Sequence, residues 1–159
     1  MRCSEELFRR SMILMGIAEE QADKYLQTPV TSLNDIPAFS EFLITPKKGD
    51  AFFCIEDFGS TNLHRVKSIG HKQAVINGLL QSSPGVYVNV LGRKISTSVL
   101  KYSCIWIPDD LVNVAYHTLC KCHLLKRCAG LSNEPGNVWW QAFRIASLSE
   151  AFKRHERTK

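Results

Sequence analysis

Residues 84–108, PGVYVNVLGRKISTSVLKYSCIWIP, decide how the rest of the chain is read. Val, Ile, Tyr, Trp and Thr dominate this run, and β-branched and aromatic side chains suit a pleated, half-buried surface. Gly92-Arg93 sits in its middle, and glycine at the first of two central positions is what a type II′ hairpin turn asks for. With those two residues as the loop, Val90 faces Ile95, Val88 faces Thr97 and Val86 faces Val99. Val86, Val88, Val90, Ile95 and Val99 then share one side, and Tyr87, Asn89, Lys94, Ser96 and Ser98 the other, so turn and alternation agree. From Val99 to Ile107 the alternation fades, as in a strand covered on both faces. The expectation is a central hairpin over 86–107 that carries Arg93 and Lys94 at its tip.

Working outward toward the N-terminus, residues 71–81 (HKQAVINGLLQ) place Ala74, Val75, Leu79 and Leu80 on roughly one helical face, with Gly78 as a cost, and predict a helix. A strand over Ala51–Asp57 (AFFCIED) and a weaker one over Leu63–Ile69 (LHRVKSI) predict an irregular hairpin. Thr45-Pro46-Lys47-Lys48-Gly49-Asp50 has turn chemistry, and residues 34–43 read as a short capped helix. Leu7, Phe8, Met12, Met15 and Ala18, followed by Ala22, Tyr25 and Leu26, recur at helical spacing after an N-cap at Ser4. Gly16 divides them into two short helices, and Thr28-Pro29 stops the second.

Toward the C-terminus, Pro108-Asp109-Asp110 opens a helix, with acids at the positive end of its dipole. That helix runs to Ala129, with Gly130 as its left-handed stop. A last helix runs from Val138 to about Arg157, and residues 153–159 form a basic tail expected to fray. The fold class is therefore α+β: N-terminal helices, a mostly antiparallel sheet of about four strands, and two C-terminal helices. At 159 residues the chain reads as a single globular domain over 1–159.

Composition narrows the function classes. The longest apolar runs fall far short of a membrane span, and the opening residues carry Glu5, Glu6, Arg9 and Arg10 rather than a secretory pattern. Six cysteines without a disulfide spacing predict a reducing, cytoplasmic setting with thiols unpaired. No phosphate loop, dinucleotide fingerprint, nucleophile elbow or HExxH motif occurs. An enzyme would need a cysteine beside a base, and sequence supplies no such link. The expectation is a regulatory or accessory protein rather than a catalyst.

Charge gives the sharpest lead. Residues 1–62 hold six Lys/Arg and ten Asp/Glu, whereas residues 63–159 hold fourteen Lys/Arg and five Asp/Glu. A basic C-terminal two thirds suits a polyanion, either nucleic acid or an acidic protein. The candidate phosphate contacts are Arg93, Lys94, Lys101, Lys121, Lys126, Arg127, Lys153, Arg154 and Arg157, with Tyr87 as a stacking residue. A projecting basic β-ribbon fits a groove, while basic residues at strand edges also serve only to suppress aggregation. A competing winged-helix arrangement makes 72–81 the first helix and 92–102 the recognition helix; the run VYVNV disfavours it.

Two further clusters define alternatives. His117, Cys120, Cys122, His123 and Cys128 carry zinc-binding chemistry, but on one helix Cys122 points almost opposite Cys120. A structural zinc site would start from His117, Cys120 and His123 and need a ligand from elsewhere; otherwise no cofactor is expected. Met12–Met15 and Trp139-Trp140 offer apolar surfaces for a protein partner or a second copy, since tryptophan is enriched at interface hot spots. Their plain reading is core packing.

Overall fold

The structure, a computed structural model, describes residues 3–27, 47–54, 63–102, 104–129 and 138–157. The expected short helix at 34–43 lies outside them. The elements run α1 (Cys3–Leu14), α2 (Glu19–Gln27), β1 (Ala51–Cys54), β2 (Leu63–Ile69), β3 (Gln73–Ser83), β4 (Val86–Ser96), α3 (Thr97–Tyr102), β5 (Cys104–Ile107), a 3-10 turn at Asp109–Leu111, α4 (Val112–Ala129) and α5 (Val138–Arg157). The class is α+β, as the sequence predicts. The contacts divide the chain into two compact units, one of residues 1–40 with 117–159 and one of residues 41–116.

The second unit is a sheet in the order β4-β3-β2-β1-β5, and every described pairing is antiparallel. Among the described residues it has five strands rather than about four, because residues 73–83 are a strand and not a helix. Ala74 and Ile76 are buried while Val75 and Asn77 are half-buried, which is the period of two that a strand requires. Gly78, a cost to a helix, here pairs with His64 and lies beside a bulge where two residues of β4 oppose one of β3.

The hairpin is also re-centred. β4 runs unbroken through Gly92 and Arg93, and the turn is Pro84-Gly85, with Ser83 paired to Val86. Proline fixes φ near −65° and Gly85 adopts φ 77°, the φ pair of a type II turn. Gly92 is not among the positive-φ glycines, so it is an ordinary strand residue paired with Asn77. The segment after β4 departs from expectation too: Thr97–Tyr102 is a turn and a half of helix, and only Cys104–Ile107 is strand. Burial of Leu100 overrides the β propensity of Thr97 and Val99. Strand β3 over 73–83 and the continuation of β4 to Ser96 remove the winged-helix arrangement, whose helices would be 72–81 and 92–102.

Phe52, Val66, Ala74, Ile76, Ile95, Leu100, Cys104 and Trp106 form one core, with Val99 packed against it. Directly paired residues share a face, so Trp106, Phe52, His64 and Gly78 line up across four strands on that side. The opposite face buries Ala51, Phe53, Leu63, Ile105 and Ile107. Burial of each large side chain contributes about 2–3 kcal/mol. The sheet's centre is therefore fixed on both faces, and only β3 and β4 present long exposed stretches.

In the first unit, Gly16 takes φ 89° between α1 and α2, as its position predicts. The Arg9 guanidinium ties the two helices by donating from Nε to Asp23 Oδ1 at 2.7 Å. Met12 and Met15 are buried in the core, whereas Leu14 of the same run is exposed. Helix α5 continues through Arg157, so residues 153–157 of the expected tail are helical.

Candidate nucleic-acid interface

Between Asp57 and Asp109 the chain contains no Asp or Glu and six Lys/Arg. That stretch supplies β2, β3, β4, α3 and β5. Antiparallel order then decides where its charges go. The C-terminal ends of β2 and β4, the N-terminal ends of β1 and β3, and the β2–β3 turn all lie at one end of the sheet. Lys47 and Lys48 precede β1, Lys67 is the bulged residue near the end of β2, Lys72 is in the β2–β3 turn, and Arg93 and Lys94 are near the end of β4. All six are exposed. From β1 to β4 they span three strand spacings, about 14 Å.

Local bonds hold this end in place. Gly49 N–H donates to the Val66 carbonyl and Val66 N–H donates to the Asp50 carbonyl, both at 2.9 Å, which fastens the Lys47–Lys48 turn to β2 beside Lys67. Gly70 N–H donates to the Gln73 carbonyl at 2.8 Å, closing the turn that carries Lys72. Thr97 N–H donates to the Lys72 carbonyl at 3.0 Å, joining that turn to the end of β4. Two of the nearby carboxylates are engaged on one flank, and Asp110 beside them is exposed. Asp109 accepts from Arg65 at 2.9 Å, and Asp50 accepts from the Lys47 amide at 2.9 Å. On β4, Arg93 pairs with Ile76 and Lys94 with Val75. Successive strand residues point to opposite faces, so these two cations straddle the outer edge of the sheet.

Arg93 also acts inward. His64 is buried, stacks on Phe52 with ring centroids 5.4 Å apart, and its Nε2 has no hydrogen-bond partner among the described residues. Burial pushes its pKa down to about 4, and the positive charge of Arg93 adds to the shift. The imidazole is neutral at physiological pH.

The remaining candidate cations fall elsewhere. Lys101 lies on α3, and its side chain is outside the described set, as are those of Lys126 and Arg127 on α4. Lys121, Lys153, Arg154 and Arg157 are exposed, but they belong to the helical unit. Arg154 donates to the Met15 carbonyl and pairs with Glu150, and Arg157 pairs with the same Glu150. The structure therefore gathers Arg93 and Lys94 with Lys47, Lys48, Lys67 and Lys72. It moves Arg93 and Lys94 from a hairpin tip to the opposite end of the ribbon. In the sequence Lys47 and Lys48 carry only turn chemistry, and strand direction is what places them at this end of the sheet.

Tyr87 is engaged at both its hydroxyl and its ring. Its hydroxyl donates to Asn113 Oδ1 at 2.6 Å and its ring packs edge-on against Tyr116, so it is held against the first turns of α4. The true tip, Pro84-Gly85, is uncharged, and Leu80, Val86 and Val88 beside it are exposed.

The zinc candidates separate. His117 and Cys120 are exposed, His123 is half-buried, and Cys122 is fully buried on the other side of α4. Burial pushes the Cys122 thiol up to about 12, with smaller opposing influences from Ser147 and Arg144. Among the described residues no group of three or more His, Cys, Asp or Glu is placed to hold a metal ion. The Trp139 and Trp140 side chains lie outside the described set. Among the described residues no helix is long and apolar enough to cross a membrane. No protein-family model, no curated protein and no solved structure matches this chain.

Proposed function

We propose that this protein is a regulatory or accessory nucleic-acid-binding protein, and that the basic end of its sheet neutralises backbone phosphates. One observation carries the reading: an acid-free stretch of chain folds into adjacent strands whose antiparallel order collects exposed cations at one end. Phosphate contacts release condensed counterions, so affinity falls linearly with salt on logarithmic axes. Binding of labelled DNA and RNA across a salt series tests this. A slope equivalent to about four contacts supports it; no binding at low salt rejects it.

A second reading is a protein-interaction module. Leu80 pairs with Val88, and both are exposed beside exposed Val86 at the uncharged end of the β3–β4 ribbon. Apolar burial is not screened by salt. Association that survives high salt and is lost on Val88→Ser favours this reading.

A further inference from the structure

The cationic surface and the engaged Tyr87 together specify the form of nucleic acid. Proteins that hold unpaired strands combine a basic track with aromatic faces, and stacking contributes about 1–3 kcal/mol per base. In the sheet unit, the Phe, Tyr and Trp side chains whose burial is described are committed, and one exposed imidazole, His71, stands beside Lys72 in the β2–β3 turn. Phe52, Phe53 and Trp106 are buried, while Tyr87 and Tyr116 are half-buried and packed on each other. Among the described residues, what this surface chiefly offers a ligand is charge, from Lys47, Lys48, Lys67, Lys72, Arg93 and Lys94. Contact by charge alone favours the ligand with more charge per unit length, and a duplex carries one negative charge per roughly 1.7 Å of axis. Its counterion release is also larger, with a salt slope of about −0.9 per contact against about −0.7 for a single strand.

Width argues the same way. The cations are spread over about 14 Å across the strands, more than one backbone covers and close to the phosphates that flank a major groove of about 12 Å. Arg93 and Lys94 lie on opposite faces of the edge strand, so their charges are presented on two sides rather than along one line.

We propose that the basic end of the sheet binds the paired backbones of duplex nucleic acid and discriminates against unpaired strands. This rests on the nucleic-acid reading above. For the four strand and turn cations Lys67, Lys72, Arg93 and Lys94, the two slopes differ by about 0.8, so the duplex gains about sixfold over a single strand for each tenfold fall in salt. The advantage grows as salt falls. A stacking site would instead give single strands a component independent of salt.

The test uses the full chain with a labelled DNA duplex, an RNA duplex of the same length, and each component strand, across a salt series. The expected result is tighter binding of duplex than of either strand, with a preference that widens at low salt. In the Lys67→Gln/Lys72→Gln/Arg93→Gln/Lys94→Gln variant, checked for folding by circular dichroism, the duplex slope should flatten and the preference disappear. Equal or tighter binding of single strands overturns the proposal while leaving nucleic-acid binding intact. Duplex binding unchanged in the variant overturns the assignment to this end of the sheet. No binding of any form removes the nucleic-acid reading itself.

Discussion

Arg154 on α5 donates from Nη2 to the Met15 carbonyl at 2.7 Å, at the corner where the chain leaves α1. Gly16 follows with φ 89°, and a Cβ built there would sit 1.1 Å from the same Nη2. The corner therefore needs a glycine for two reasons, a left-handed backbone and the guanidinium packed over it. Gly16→Ala should cost about 1–2 kcal/mol for the backbone alone and more for displacing Arg154. In Arg154→Ala the steric part should vanish, so urea unfolding of the double-mutant cycle should show a coupling of about 1 kcal/mol between the two sites.

The glycines also separate the two possible hairpins. With the turn at Pro84-Gly85, Gly85→Ala places a side chain at φ 77° with open space around it, a purely conformational cost of about 1–2 kcal/mol. Gly92→Ala adds a Cβ 3.2 Å from Asn77 Oδ1 on a strand of ordinary φ, and should cost less. The reverse order in chemical denaturation would restore the turn at Gly92-Arg93.

His64 predicts an acid-sensitive sheet. Its folded pKa lies near 4, below the ordinary value of 6.5, so between those values the unfolded chain binds the extra proton. Its contribution is fully present above about pH 6.5 and declines as pH falls toward 4, by up to about 3 kcal/mol. Denaturant midpoints across this range should fall more steeply for the natural protein than for His64→Leu. Arg93→Ala should raise the His64 pKa, followed through its imidazole resonances.

The thiols should divide by burial. Cys120 is exposed, whereas Cys122 is fully buried with its pKa pushed up to about 12. The thiolate is the reactive form. Maleimide labelling of the folded protein, mapped by peptide mass, should therefore modify Cys120 and leave Cys122 until the chain is unfolded.

Local chemistry announced much of this fold. Pro108-Asp109-Asp110 marks the start of the α4 region and Gly16 the break between helices, because each fixes a backbone angle or complements a helix end, while Thr28-Pro29 lies outside the described residues. Strands β1 and β2 were legible from the expected Ala51–Asp57, of which 55–57 lie outside the described residues, and from Leu63–Ile69. Residues 73–83 were not, since Ala74, Val75, Leu79 and Leu80 fit a helical face while Ala74 and Ile76 fit a strand. Pairing with β2 and β4 decides between them, and that is information distant in sequence. Thr97–Tyr102 was misread for a related reason: the burial of Leu100 outweighs local propensity. The candidate site was legible only as an excess of charge. Lys47, Lys67, Lys72 and Lys94 become neighbours through strand direction, which composition does not encode.

The most direct measurement compares two charge variants of the full chain for duplex binding across a salt series. One is Lys67→Gln/Lys72→Gln/Arg93→Gln/Lys94→Gln at the end of the sheet; the other is Lys121→Gln/Lys153→Gln on α4 and α5, where both side chains are exposed. If the sheet end is the site, the first variant should lose most of the salt slope, about 3–4 units, and the second should bind like the natural protein. Loss confined to the second variant, with the first unchanged, would place the contacts on the helical unit and contradict the account.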